Sequence, residues 1–374
     1  SGHTQDSDQY ISVDQNTYTV EQLVKDVLIN NQCATITNIV SSTGTNFGST
    51  NGIGYFSSNG VSFPLSEGII LSTGNVVESI GPETGDISSG SVNWPGDADL
   101  ANVIPNHDLN SSYNATYITF DFVPLSNVIS FNFVFASDEY GFYQCEYTDA
   151  FAFLLTDLTT GVTTNLAIVP GTTDVVSVFT VRDNTYNGGC PSVNPGYFDS
   201  YYGPGGEPLN NDPIDFRGYT RSMTAFSNVT PNNNYRIKLV IADAFDSAYN
   251  AAVFLGAGSF DLGGDLGDDV TIDAGNAVCE GNPITLDTGF VGATHTWYFN
   301  GNVIPGETGS TIDALQEGTY SVDAFYSASC QTTDSIYIEF LPSPTVENTI
   351  DLIQCDVFSS DETFDLTVTD AEAI

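Results

Sequence analysis

Residues 117–135 read YITFDFVPLSNVISFNFVF, and this stretch sets the fold class. It predicts two strands, Tyr117–Phe122 and Val128–Phe135, because aromatic and β-branched residues favour strands and the Pro/Ser/Asn segment between them favours a turn. Comparable short runs recur along the chain at Phe151–Leu155, Val175–Val181, Tyr235–Ile241 and Ala252–Leu255. Strands this frequent, without helices between them, predict an all-β chain that opens with an antiparallel sandwich or jelly roll.

One short helix is predicted near the start of the chain. Val20, Leu23, Val24, Val27 and Leu28 recur at helical spacing. Thr19 and Gln22 have the spacing of a capping box, which satisfies two backbone N–H groups at a helix start. In strand Tyr235–Ile241, by contrast, Arg236 and Lys238 alternate with apolar residues and are expected on its outward face.

The charge of the chain excludes several classes of partner. Its 374 residues contain 6 Lys and Arg against 47 Asp and Glu, a formal net charge of −41. Such a chain repels phosphate, so we expect no nucleic-acid binding. No apolar stretch approaches the roughly 20 residues of a spanning helix, so we expect no direct membrane insertion of this segment.

Catalytic motifs are missing from the sequence. The three histidines, His3, His107 and His295, are not spaced as a zinc pair, and there is no Gly-x-Ser-x-Gly elbow or P-loop. We therefore expect a protein that is not an enzyme. Carboxylates would have to carry any acid–base chemistry, and a glycosidase-type carboxylate pair is the alternative that remains.

The six cysteines are widely spaced and form no Cys-x-x-Cys pair, which argues against a metal-thiolate site. Together with the acidic composition, they fit an oxidising, extracellular setting. We expect two disulfides, Cys145–Cys190 and Cys279–Cys330. Cys33 and Cys355 are left without an assigned partner.

Changes in composition divide the chain. A first β-domain is expected over residues 1–260, followed by a Gly/Asp-rich linker over 261–269. Residues 270–341 resemble an immunoglobulin-like domain of the bacterial surface type, with Trp297 filling its core. A third β-domain is expected to begin at 342–374.

Acidic residues cluster at strand ends, and they predict a calcium site. Calcium takes six to eight oxygen ligands from carboxylates, amides and backbone carbonyls. The alternative is that these acids are solvated or cap turns. The candidate ligands are Asp97, Asp99, Asp138, Glu139, Asp149, Asp243, Asp246 and Asn250.

A Gly/Pro/Tyr-rich segment predicts a ligand-binding loop. Tyr197, Phe198, Tyr201 and Tyr202 are expected to be exposed there, where aromatic rings could stack on sugars. The alternative is that this loop packs on its own domain.

Several ordered motifs resemble the choice-of-anchor L domain over residues ~18–260. The resemblance is carried by FVFASDEY (133–140), DAFAFL (149–154), NLAIVPGT (165–172), KLVIAD (238–243) and the earlier EGIILSTG (67–74). It implies a large secreted or surface protein of Bacteroidetes-type bacteria, exported by the type IX secretion machinery. The later part, residues 279–340 and 351–366, is similar to repeats of gliding-type adhesins from those bacteria.

The expected function is that of a calcium-stabilised cell-surface adhesin whose loops bind an extracellular glycan or protein. Two alternatives stay open: a structural subunit of an extracellular filament or export cargo with protein partners only, and an accessory region of a secreted glycan-degrading enzyme. Ser335 and Ser247 lie in Asp-Ser-apolar tripeptides that resemble the O-glycosylation sites of such bacteria.

Overall fold

Antiparallel β-sheet is the main regular structure of the chain, as described by a computed structural model, and the predicted all-β class is confirmed. The structure describes residues 9–29, 31, 33–104, 109–260, 266–290, 292–327 and 330–342. Within these ranges, no helix is long and apolar enough to cross a membrane.

The first unit contains thirteen strands. They are β1 (Ser12–Asp14), β2 (Thr35–Ser42), β3 (Ile53–Ser57), β4 (Glu67–Ser72), β5 (Ser112–Val123), β6 (Val128–Ser137), β7 (Ala150–Asp157), β8 (Thr163–Asn165), β9 (Phe198–Tyr201), β10 (Gly218–Thr220), β11 (Met223–Asn228), β12 (Tyr235–Ala244) and β13 (Ala251–Gly256).

These strands form two antiparallel sheets. The larger sheet has the order β1-β3-β4-β13-β6-β10-β9, and β11 also pairs with β6. The smaller sheet has the order β2-β5-β12-β7-β8. Sequential neighbours in the chain therefore often lie in different sheets, as in the sandwich predicted from the sequence.

Aromatic side chains from both sheets fill the core between them. Phe131 and Phe133 of β6 pack on Phe153 of β7, with ring centroids 4.9 and 5.0 Å apart. Along β12 the alternation of a strand puts Ile237 inward, fully buried, and Arg236 on the opposite face, as predicted. This packed core fixes the strand ends on which the candidate site is built.

Two short helices accompany the sheets. Helix α1 (Val20–Gln22) starts at the capping box predicted for Thr19 and Gln22, and the chain continues as a π-helical segment over Leu23–Ile29. Helix α2 (Ala98–Val103) was not predicted; it covers the outer face of the smaller sheet.

The predicted strand Val175–Val181 is wrong. The Ser177 N–H donates to Thr180 Oγ1 (2.9 Å) and the Val181 N–H donates to the Ser177 carbonyl (3.0 Å), which closes a turn. Val176, Val178 and Val181 are buried in the core although they form no strand. Buried apolar residues in a turn can therefore imitate the composition of a strand.

A second unit holds eight strands: β14 (Val278–Cys279), β15 (Ile284–Asp287), β16 (Thr294–Phe299), β17 (Asn302–Val303), β18 (Thr311–Ala314), β19 (Gly318–Ser327), β20 (Cys330–Ile338) and β21 (Phe340–Leu341). Trp297 is fully buried in its core, and its Nε1–H donates to the Gly309 carbonyl at 2.9 Å. Two stretches of this later part of the chain, Thr288–Thr294 and Ala324–Thr332, belong to the first compact unit. Residues 343–374 of the expected third domain (342–374) and residues 261–265 of the expected linker lie outside the described residues.

The disulfides confirm one predicted pair and correct the other. Cys145 is bonded to Cys190 as predicted. Cys330 is bonded to Cys33, with a Cα–Cα distance of 4.7 Å, and not to Cys279. Cys279 lies exposed on β14 and forms no disulfide within the described residues. A disulfide needs Cα atoms within about 7 Å, and spacing in sequence carries no information about that distance.

Candidate functional site

Three strand ends bring acidic residues to one end of the first unit. Asp138 and Glu139 follow β6, Asp149 comes immediately before β7, and Asp243 is the penultimate residue of β12. β6 belongs to the larger sheet and the other two strands to the smaller one. Both layers of the sandwich therefore place acidic residues at this end of the first unit.

We call Glu139, Asp149, Asp243 and Asp246 the acid cluster. The first three are buried and Asp246 is half-buried. Hydrogen bonds link the cluster: the Asp149 N–H donates to the Glu139 carboxylate, and the Ala244 N–H, next to Asp243, donates to the Asp149 carboxylate. Four of the eight candidate ligands therefore belong to this cluster.

Each buried acid of the cluster has one oxygen that is bonded and one that is not. Asp149 Oδ2 accepts from Ser137 Oγ (3.2 Å) and Asp243 Oδ2 accepts from Asn114 Nδ2 (2.6 Å). Glu139 Oε2, Asp149 Oδ1 and Asp243 Oδ1 are buried without a hydrogen-bond partner. Burial, and then repulsion among these carboxylates, raises the pKa of all three well above the usual range.

No Lys or Arg compensates the acid cluster, because all six of these residues lie in the described part of the chain and bond elsewhere. The partners are Glu21 for Lys25, the Gln144 and Pro191 carbonyls for Arg182, Asp86 and Glu83 for Arg217, Asp199 for Arg221, Asp121 for Arg236, and Asp97 and Asp99 for Lys238.

Asp138 does not join the acid cluster, which corrects the prediction. Its Oδ1 accepts from the Arg217 N–H (3.2 Å) and its Oδ2 from the Ile87 N–H (3.1 Å). Its carboxylate lies with those of Glu83 and Asp86, and ligand atoms of these three acids are within 4.8 Å of one another. Asp138 and Glu139 lie in the turn that follows β6, and their carboxylates join different groups of acids.

Asp97, Asp99 and Asn250 also lie away from the acid cluster. Lys238 Nζ is 2.6 Å from Asp97 Oδ2 and 2.7 Å from Asp99 Oδ2, so an ammonium group occupies the place predicted for a metal ion. Asp97 additionally caps helix α2 through Oδ1. The Asn250 side chain exchanges hydrogen bonds with Ser89.

The predicted exposure of the tyrosine-rich loop is wrong. Phe198, Tyr201 and Tyr202 are buried in the first unit, and Tyr197 is half-buried with its hydroxyl donating to the Pro170 carbonyl (3.1 Å). Phe198 and Tyr201 belong to strand β9, which pairs with β10, so this segment is part of the larger sheet. These rings pack on their own domain, which is the alternative stated for this loop.

Several aromatic residues, with Tyr201 of the predicted loop among them, line a pocket of about 290 Å³, which we call the aromatic pocket. Phe142 is its most exposed wall, at 79%. Arg217 Nε lies 2.7 Å from Asp86 Oδ1, which places an ion pair in the lining. The lining residues are Asp86, Asp138, Tyr140, Phe142, Tyr143, Tyr186, Tyr201, Pro204 and Arg217.

The walls of the aromatic pocket are tied together covalently and by hydrogen bonds. The Cys145–Cys190 disulfide joins the segment after Phe142 to the segment after Tyr186. Asn187 Nδ2 donates to the Phe142 carbonyl at 3.0 Å. These bonds hold the rings in place before any ligand arrives, which lowers the entropy cost of binding.

Sequence reasoning missed Glu83, Asp86 and Arg217. A usable signal existed, because an arginine in a chain with six basic residues must pair with some of the many acids. The pairing itself is long-range and invisible in sequence. Burial raises the pKa of Glu83 to about 7, although Arg217 opposes the shift.

The two predicted glycosylation serines differ in accessibility. Ser335 is exposed on β20, and Ser247 is half-buried beside Asp246. The accessibility of Ser335 is what a modifying enzyme needs, and its glycosylation stays a prediction.

Comparison with known proteins identifies the first unit. The choice-of-anchor L domain family matches residues 12–261, which is more than half of the chain. No curated protein matches the chain. Two disulfides fit an oxidising environment outside the cytoplasm. The chain therefore belongs to the choice-of-anchor L domain family, whose members are cell-surface or extracellular proteins.

Proposed function

We propose that this chain is part of an exported surface adhesin whose first unit binds a neutral glycan in the aromatic pocket. The observation that carries the proposal is the composition of that pocket, in which aromatic rings lie beside the Arg217–Asp86 ion pair and the Asp138 carboxylate. Binding rather than turnover is proposed, because no catalytic constellation was found in the sequence.

The rings supply the affinity in this proposal. Phe142 and Tyr143 contact edge to face with centroids 4.8 Å apart, and Tyr186 and Tyr201 lie 4.7 Å apart on the other wall. Aromatic faces bury the apolar C–H face of a sugar ring while its hydroxyls stay free for hydrogen bonds. A sugar bound in the pocket would cover Phe142, the most exposed of its rings.

The ion pair supplies the selectivity. Arg217 donates and Asp86 accepts, so together they can bond neighbouring hydroxyl groups of one sugar. A net charge of −41 repels polyanionic ligands, which favours neutral over sulfated or uronic-acid glycans. Export by the type IX secretion machinery belongs to the proposal and is supported by the family resemblance.

The experiment compares glycan binding by the wild type and by Phe142→Ala on an array of neutral and acidic oligosaccharides. We expect wild-type binding confined to neutral glycans and at least about a tenfold loss for Phe142→Ala, in the range measured for an aromatic anchor. Phe226→Ala is the matched control, since Phe226 is 66% exposed on β11 outside the aromatic pocket.

Equal glycan binding by Phe142→Ala and the wild type would overturn the assignment of the site. Absence of wild-type binding to every neutral glycan would overturn the ligand class. Release of shortened sugars from a bound oligosaccharide would assign a hydrolase in place of a binding protein.

A further inference from the structure

We propose that β11 is a docking edge, along which an extended segment of a partner protein adds as a further strand of the larger sheet. This segment carries uncharged side chains where it lies beside β11 and basic residues on either side of them. The inference goes beyond the proposed glycan binding, because the groove beside β11 shares no lining residue with the aromatic pocket.

The first argument is the position of β11 in the larger sheet. Where β11 begins, β6 is paired on both sides: Phe133 pairs with Met223 of β11 and with Leu255 of β13. β9 pairs with β10, the strand before β11, and it begins only at Phe198, after a 3₁₀ turn over Pro195–Tyr197. In the described part of the chain β11 therefore pairs with β6 alone, and its second edge has no strand beside it.

The register shows which backbone groups of β11 lie along this second edge. The Asn132 N–H of β6 donates to Ser259 Oγ at 3.1 Å, and not to Thr224, the residue opposite it on β11. Opposite residues of an antiparallel ladder alternate between bonded and non-bonded pairs. Thr224 and Phe226 therefore direct their backbone N–H and C=O groups toward the second edge, where an added strand can bond them.

The sequence of β11 leaves this edge unprotected. Exposed strand edges usually carry a charged residue, a proline or a bulge that prevents pairing with another chain. β11 reads MTAFSN, with no charged residue and no proline, and it pairs with β6 in continuous register over all 6 residues. A regular edge without these features is suited to the addition of an extended peptide.

A groove of about 670 Å³, which we call the edge groove, lies beside β11. Its walls are β11 and the segment that begins in β8, the edge strand of the smaller sheet. Leu166, Ile168 and Pro170 line one wall, and Met223 and Phe226 line the other. Alternate side chains of an added strand point to the same side, so apolar residues at every second position can fill this groove.

Charge selects the kind of partner. None of the described residues that line the edge groove is charged, although the chain contains 47 Asp and Glu. Uncharged side chains can be buried there without an ion-pair partner. Around the groove, the net charge of −41 attracts basic segments and repels acidic ones. A second copy of this chain brings the same negative charge, which favours a basic partner over self-association.

The test follows the fluorescence anisotropy of a labelled synthetic peptide that is titrated with the full chain at about 0.15 M salt. The peptide alternates valine and threonine between two pairs of lysines. A second peptide has the same sequence and charge, with N-methyl groups on all backbone nitrogens between the lysines. We expect saturable binding of the first peptide and at least about tenfold weaker binding of the second, because it cannot donate ladder hydrogen bonds.

Thr224→Pro and Thr224→Val are the matched variants. Proline removes the N–H that faces the edge groove, and the strand tolerates it because this N–H makes no bond to β6. Valine keeps the N–H, and both variants lose the hydrogen bond from Thr224 Oγ1 to Asn132 Oδ1 (2.7 Å). We expect the unmodified peptide to bind Thr224→Pro at least about tenfold more weakly and Thr224→Val as it binds the wild type. The N-methylated peptide tests the same bonds on the wild type, independently of how the proline variant folds.

Equal binding of both peptides to the wild type would overturn the proposal, because surface charge alone would then explain the binding. Absence of saturable binding of the unmodified peptide would overturn it as well. A dimer in sedimentation that Thr224→Pro abolishes would assign the edge to a second copy in place of a basic partner. None of these measurements involves a sugar, so failure of the edge groove is distinguishable from failure of the aromatic pocket.

Discussion

At Asp212, a single carboxyl group shows how burial without a partner affects stability. Its Oδ1 accepts from the Ile214 N–H at 3.1 Å, and its Oδ2 is buried with no partner. Burial, and then the nearby charges of Glu83 and Asp215, raise the pKa of Asp212 from 3.8 to about 9. The folded protein therefore keeps this proton over a pH range in which the unfolded chain has lost it.

This difference predicts a pH effect on stability. Between pH 3.8 and about 9 the unfolded state binds fewer protons at position 212, so the free energy of unfolding falls as pH rises, by at most about 1.4 kcal/mol per pH unit. Asp212→Asn removes this contribution. We expect the variant to be more stable than the wild type at pH 8 and equally stable near pH 4.

Urea denaturation at a series of pH values measures the effect. Parallel pH profiles for Asp212→Asn and the wild type would contradict the prediction. Asp199→Asn serves as control, since Asp199 is largely exposed beside Arg221 and should not share the slope.

Individual residues also mark the limit of sequence-based prediction. The sequence predicts that Asp138, Glu139, Asp243 and Asp246 lie close together. The structure groups the last three with Asp149 and places Asp138 with Glu83 and Asp86. The local sequence around Asp97 gives no sign that this residue lies outside the acid cluster. Its distinction is a long-range ion pair with Lys238, 141 residues away.

Among the elements, the hairpin-rich segment between β7 and β9 depends on its disulfide. The Cys145–Cys190 bond joins residues 45 positions apart. The chain between them contains β7 and the short strand β8, and its residues 166–190 form no further strand. Cross-linking removes conformational freedom mainly from the unfolded chain, and a loop of this length corresponds to about 4 kcal/mol in the loop-entropy model.

Cys145→Ala/Cys190→Ala should therefore lower the free energy of unfolding by a few kcal/mol. We also expect faster proteolysis near Tyr186, because few regular strands hold this segment. Denaturation and limited proteolysis of the double variant measure both effects. Cys279→Ala is the control, and an equal loss of stability in that variant would refute the role given to the 145–190 bond.

Elements were predictable where local chemistry and packing agreed. The Thr19–Gln22 capping box started α1 as predicted, because its hydrogen bonds are local. Val175–Val181 failed, because its valines are buried by contacts from elsewhere in the fold while Thr180 closes a turn. A strand and a buried turn can share the same composition, and only the tertiary structure separates them.

The whole molecule carries a net charge of −41, and its surface acids repel one another. This self-repulsion destabilises the compact state, and salt reduces its range from about 10 Å at 0.1 M to about 3 Å at 1 M. We expect the melting temperature at neutral pH to rise between about 0.02 and 0.5 M sodium chloride in calcium-free buffer.

The same titration at pH 4 is the control, because many surface carboxylates are then protonated and the repulsion is smaller. A melting temperature that does not depend on sodium chloride at neutral pH would contradict this account of the surface charge. An equal rise at both pH values would assign the effect to the salt itself.

The Cys33–Cys330 disulfide has a mechanical consequence for a protein at a cell surface. It joins residues separated by 297 positions, so tension applied to the chain outside this pair passes through one covalent bond and bypasses strands β2 to β13 of the sandwich. If the bond is reduced, the enclosed chain can extend by up to about 1,000 Å. While it is intact, shear from flowing liquid cannot unravel the strands that carry the acid cluster and the aromatic pocket.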